Sequence, residues 1–167
     1  DYKGHREMIA AWPLVLKQMP QAELWIAGDG DLRPELKMLV NQIGLEKSVR
    51  FYGLVTEEEK QDLLSRSRCL AMPSRNEGFG LVYLEAMRLG RPCLVSNLDA
   101  GREVVNPPEA GLAVTPDHPE EVASAVLRLI SCNEEWKAWS VASQQRYEKH
   151  FTADAFKKRL IEALELS

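Results

Sequence analysis

Residues Ser74–Pro92, SRNEGFGLVYLEAMRLGRP, pass from a polar loop through a Gly78-Phe79-Gly80 turn into an apolar segment, Leu81 to Leu89. Just before them, Cys69-Leu70-Ala71-Met72 is short, apolar and closed by Pro73, the pattern of a buried strand. The order is therefore strand, loop and helix start. Glycines at a helix entrance let backbone N–H groups approach a ligand without side-chain obstruction. Those N–H groups have no intrahelical acceptor, and the helix dipole favours negative charge beside them. A phosphate is the expected guest.

Two carboxylates frame the turn, with seven residues between them. Glu77 precedes the glycines. Glu85 lies inside the helix among Leu81, Val82, Leu84, Ala86, Met87 and Leu89. A charge on so apolar a helix needs a partner, since burying it alone is costly. Its structural reading is an ion pair with Arg88 or Arg91, and that of Glu77 is an acid complementing the helix dipole. A ligand-binding role for both is the other reading, and these residues alone leave the choice open.

The run E-G-F-G-L-V-x-L-E-A-M-x-x-G-x-P, Glu77 to Pro92, resembles the E-x7-E signature of the retaining glycosyltransferases with the GT-B fold. The continuation also resembles that family: Cys93-Leu94-Val95-Ser96, then Gly101-Arg102-Glu103-Val104-Val105, then Gly111-Leu112-Ala113-Val114. The resemblance covers nearly all of the chain and implies the family's nucleotide-sugar-binding domain. Residues 1–167 are thus expected to form a single donor domain, with the N-terminal acceptor domain outside this chain.

The 167 residues suit one domain with a proper core. A formal net charge of -4, with Lys and Arg scattered, argues against nucleic acid as the main partner. No stretch has the length of a membrane span. Cys69, Cys93 and Cys132 have no metal spacing and suit a reducing compartment, so a cytoplasmic location is expected. His5, His118 and His150 stand apart from other ligand types, so no metal site is expected. Gly28-x-Gly30 lacks the third glycine of a dinucleotide fingerprint, Arg33 standing in its place, and reads as a turn.

Met8, Ile9, Trp12, Leu16 and Met19 recur at helical spacing up to Pro20. A strand is expected over Ala22–Ala27, a helix over Leu32–Ile43 and a strand over Val49–Tyr52. Thr56-Glu57-Glu58-Glu59 reads as a capping box for a helix through Leu64. A helix is expected from Asp117 to Ile130, then one or two helices from Glu134 onward with Trp136, Trp139, Tyr147, Phe151 and Phe156 as core. Strands alternating with crossover helices predict an α/β domain: a Rossmann-like parallel sheet with helices on both faces, one half of a GT-B fold. Ligands then bind beyond the carboxyl ends of the strands, where the loops at Gly28, Gly53, Ser74 and Ser96 fall.

The resemblance also implies roles. A first strand followed by Gly-Arg and Lys-Gly is usual in the family. Here only Lys3-Gly4 matches, so the first strand is expected to be truncated. Lys3 and the backbone of Gly78, Phe79, Gly80, Leu81 and Val82 would hold the donor diphosphate. Glu77 is the candidate catalytic residue, holding the sugar hydroxyls near the reacting carbon, and Glu85 would accept the ribose hydroxyls. The base is expected near the loop after Phe51, with Arg50 as the side chain reaching it. The implied reaction moves a hexose from a nucleotide sugar with retention, without metal or cofactor. The acceptor, and any peripheral membrane association, would belong to the other domain, so this chain alone is expected to be inactive. A non-catalytic GT-B-like scaffold module and a GT-B-like epimerase are the alternatives.

Overall fold

A computed structural model describes residues 2–165. Its elements follow in the order α1 (His5–Gln18), β1 (Leu24–Ala27), α2 (Arg33–Gln42), β2 (Val49–Gly53), α3 (Glu57–Arg66), β3 (Leu70–Ala71) and α4 (Leu81–Arg88). Then come β4 (Cys93–Ser96), α5 (Gly101–Val105), β5 (Gly111–Val114), α6 (Pro119–Ile130), α7 (Glu134–His150) and α8 (Ala153–Glu165). Local signals account for most boundaries. Thr56 caps α3 through a complete capping box: its side chain accepts from Glu59 N–H, and the Glu59 carboxylate accepts from Thr56 N–H. Asn133 caps α7 by accepting from Trp136 N–H at 2.9 Å. Pro119 occupies the first turn of α6, where its missing N–H costs nothing. Pro13 does not end α1, which continues to Gln18.

All strand pairs are parallel, β1 with β2, and β3 with β4 with β5. The α/β class with crossover helices is as expected, but the strands make two sheets rather than one. Strand β4 is buried throughout and divides the interior. Its Leu94 packs with Ile9, Trp12 and Val15 of α1 and Val122, Val126 and Leu129 of α6. Its Cys93 and Val95 point the other way, to Tyr83, Met87, Val104 and Val105. Alternation along one strand thus supplies both faces with core, each fully buried aliphatic side chain contributing roughly 1.5–3 kcal/mol.

Between the sheets lies an apolar cavity of about 990 Å³, lined by Trp25 and Ile26 of β1, Leu70 of β3, Met72 beyond it, and Met8 and Trp12 of α1. The amides of Leu24 and Gly28 bond to Ser48 and Gly53 on the β2 side. Those of Leu70 and Met72 bond to Pro92 and Leu94 on the β4 side. By the alternation of a strand, the amides of Trp25, Ala27 and Ala71 face the cavity. Among the described residues no strand precedes α1. There, Tyr2 O accepts from Arg75 N–H at 2.7 Å, and the chain turns through Gly4 straight into the helix.

Most of the C-terminal aromatic residues join the core as expected, Tyr147 and Phe151 packing against the cluster around Tyr83 and Met87, but Phe156 departs. Trp139 is buried and donates its indole N–H to Pro108 O at 2.9 Å. Trp136 is half-buried and donates to Arg68 O at 2.9 Å. Phe156, however, is 61% exposed, because α8 packs on α7 and leaves an apolar stripe with Leu160 and Leu164 outward.

Candidate active site

The loops after β3 and β4 meet at the N-terminus of α4. Gly80, the residue before this helix, adopts φ 77°, and no side chain caps the helix. A Cβ at Gly80 would lie 2.4 Å from the Tyr83 ring, so the turn admits only glycine. The first turn of α4 carries no acid. Its amides, with those of Phe79 and Gly80, form an uncapped helix start with net positive character. Phe79 is exposed at the rim, its ring edge-on to Phe151 with centroids 6.2 Å apart.

Several bonds that no local pattern announced hold the Ser74–Gly80 loop. Ser74, fully buried, gives its hydroxyl to the Asp99 carboxylate, whose Oδ1 also accepts from Gly101 N–H at 2.9 Å. Ala100 N–H reaches Glu77 O at 3.3 Å, tying the catalytic candidate's backbone to the loop after β4. On the other side, Arg75 pairs with Asp117 and with Glu7, the latter at 3.1 Å. Asp117, then Glu7, raise its guanidinium further above the usual arginine range. Beneath the loop, Tyr83 donates its hydroxyl to Met72 O at 2.8 Å. Burial pushes that phenol well above its ordinary pKa. Removing the hydroxyl takes away one of two donors to the buried Met72 carbonyl, which keeps Ser74 N–H at 2.8 Å, so Tyr83→Phe is expected to lose about 0.5–1.5 kcal/mol in urea unfolding. A loss below about 0.5 kcal/mol would mean that this bond does not hold the loop.

Glu85 does have a partner, but not the expected one. Lys60 of α3 places Nζ 2.9 Å from Glu85 Oε1 and also 2.9 Å from Glu57. Arg91 instead donates to Ser65 O at 2.6 Å and stacks over Trp136, and Arg88 is exposed. The correction has a simple cause: α3 packs against α4 and brings Lys60 across from 25 residues away. Glu57 first, then Glu85, raise the Lys60 pKa. Glu85 Oε2 is buried without a hydrogen-bond partner. A carboxylate with one oxygen held and one unmatched is suited to accepting ligand hydroxyls.

Not every candidate residue gathers here. Lys3 is exposed and lines the cavity's mouth with Gly4, Gly28, Leu54, Lys60 and Val82. Arg50 does not turn to the loops. It is largely exposed on β2 and pairs with Glu23, just before β1, at 2.5 Å. Gly28 and Gly30 form the turn expected of them, with Asp29 accepting from Gly30 N–H and from Arg33. Sequence reasoning missed Lys60, Asp99 and Tyr83. The only prior signal was that Glu85 needed a cation.

Residues 1–132 match the family Glycosyl transferases group 1. The chain belongs to that family. It is 36% identical over 129 residues to an uncharacterized glycosyltransferase of Methanocaldococcus jannaschii, covering 77% of this chain and 33% of that protein. It is 30% identical over 149 residues to a glycogen synthase of Mycobacterium tuberculosis, covering 89% and 36%. It is 26% identical over 170 residues to a GDP-mannose-dependent mannosyltransferase of Corynebacterium glutamicum acting on a monoacylated phosphatidylinositol monomannoside, covering 98% and 44%. The chain therefore spans a third to under half of the length of these relatives. Among solved structures, Alr3699/HepE of Anabaena in complex with UDP superposes with a TM-score of 0.87 at 24% identity, over 99% of this chain and 46% of that one. That likeness fixes the fold as one Rossmann-like half of a GT-B glycosyltransferase. Among the described residues no helix is long and apolar enough to cross a membrane.

Proposed function

We propose that this chain is the donor-binding half of a retaining, metal-independent glycosyltransferase that moves a hexose from a nucleotide diphosphate sugar. The observation that carries the reading is the uncapped, glycine-entered start of α4 with Glu77 before it and Glu85 within it. Charge develops in two places during such a transfer. The departing diphosphate gains negative charge, which the amides of Phe79 to Val82 and the Lys3 ammonium are suited to stabilise. The sugar becomes oxocarbenium-like, and Glu77 is assigned its hydroxyls and its orientation. Glu85 would accept the ribose hydroxyls with Oε2. The loop at Leu54 and Val55 borders the cavity and is assigned the base, a role that the pairing of Arg50 with Glu23 does not favour for that side chain. No cofactor enters this scheme, and the E-x7-E residues are Glu77 and Glu85.

Support for a nucleotide ligand comes from the relatives, one described as GDP-mannose-dependent and one solved with UDP. The acceptor, and any contact with a membrane, are assigned to a second domain, so this chain alone should transfer no sugar. A cytoplasmic location is part of the same proposal. Calorimetric titration with UDP, GDP and ADP tests it. One of the three should bind, even at millimolar strength, and Glu85→Ala should weaken that binding by about tenfold or more while staying folded. Binding unchanged by Glu85→Ala, or no binding by any of them, would overturn the donor-site reading.

A further inference from the structure

Lys60 is a further ionisable group at this site. It is the sole cation that the described contacts place on Glu85, with Nζ 2.9 Å from Oε1. Both side chains are partly buried, Lys60 at 26% and Glu85 at 31% exposure, so the pair is screened less than a surface ion pair. Its second partner, Glu57, is 80% exposed and lies one turn away on the same helix. The two bonds therefore differ in kind. Glu57 is a solvent-exposed acid, whereas Glu85 is only 31% exposed, on a helix whose Tyr83, Ala86 and Met87 are buried.

We infer that Lys60 is a positioning residue: it holds Glu85 Oε1 so that Oε2 alone is left to accept the hydroxyls of a bound nucleotide's ribose. A carboxylate on a side chain with several rotatable bonds loses entropy when it meets a diol. Holding one oxygen beforehand removes much of that loss. The inference rests on the donor-site reading and deepens it: hydroxyl recognition depends on α3 as well as on the E-x7-E helix.

The test compares a nucleoside diphosphate (GDP or UDP, whichever the chain binds) with its 2′,3′-dideoxy analogue, by calorimetry. With the native chain, the dideoxy analogue should bind roughly tenfold or more weakly, the scale of a lost hydrogen bond to a charged group. Lys60→Met should weaken the ribonucleotide by about tenfold and leave the dideoxy analogue within about twofold, so that the two losses do not add. Lys60→Arg should restore part of the discrimination, and Glu57→Gln should leave it unchanged. Equal weakening of both ligands by Lys60→Met would overturn the inference, because Lys60 would then act on phosphate, base or fold. Unchanged binding of both would overturn it as well. Glu85→Ala separates the two readings. If Glu85→Ala loses the discrimination and Lys60→Met keeps it, only the role of Lys60 falls. If the native chain does not distinguish the ligands, the ribose role of Glu85 falls with it. Urea midpoints of all variants report whether each remains folded.

Discussion

Gly111→Ala should unfold this domain. Gly111 opens β5 and pairs with Cys93, and a Cβ there would lie 1.9 Å from the Cys93 carbonyl oxygen and 2.7 Å from its amide nitrogen. Both obstacles are backbone, so no rotamer change relieves them. Strand β4 cannot shift aside, since β3 bonds its other edge and core packs on both its faces. Overpacking in cores typically costs 1–3 kcal/mol, and a backbone clash without an escape should exceed that, at roughly 4 kcal/mol or more. Against a total stability on the order of 5–15 kcal/mol, the urea midpoint should fall steeply or folding should fail. Gly30→Ala, where a Cβ meets nothing within 4 Å, is the control and should move the midpoint little. A Gly111→Ala protein as stable as that control would refute the β4–β5 register.

In the proposed transfer, assayed with an acceptor domain joined to this chain, Glu77→Gln should lower kcat by about 10²–10³ while leaving nucleoside diphosphate affinity within about threefold. Glu77 lies before the glycine turn, its backbone fastened to Ala100, on the loop that the proposed sugar would face. Its carboxylate would therefore act on the sugar while charge develops there. Glu85 lies a helical stretch further on and would act on the ribose, which does not change during transfer. Glu85→Ala should accordingly show the opposite split, with weaker nucleotide binding and a smaller effect on kcat at saturation. Steady-state kinetics with calorimetry on both variants would check this. If both variants lowered affinity and kcat in the same proportion, the division of labour between the two carboxylates would be wrong.

The elements themselves were legible because their signals are local. The capping box at Thr56, the stop after Ile43, the proline at the start of α6 and the glycine turn before α4 each act within a few residues. Strands β2, β4 and β5 were readable as short apolar runs between turns. What local patterns misjudged was burial at the periphery. Phe156 has the helical spacing of a core residue, but α8 packs mainly on α7 and turns this side chain outward, and spacing cannot report that. The partner of Arg50 was hidden for a similar reason. The place of Arg50 on a strand was clear, but its partner Glu23 lies 27 residues away and becomes a neighbour only through the parallel pairing of β1 with β2.

The sequence by itself determined the α/β class, the order of elements, the helix start that suits an anion and the two carboxylates that frame it. These follow from periodicity, glycine placement and the solvation cost of a lone charge, all of which act along the chain. Only the tertiary structure decided that Lys60, rather than Arg88 or Arg91, answers Glu85, and that Asp99, Arg75 and Tyr83 hold the loop carrying Glu77. It also decided that the strands form two sheets around an apolar cavity. Each of these depends on which surfaces pack together. An ion pair between α3 and α4, or a hydroxyl reaching a carbonyl across a turn, has no periodic trace and exists only once the helices are seated on their strands.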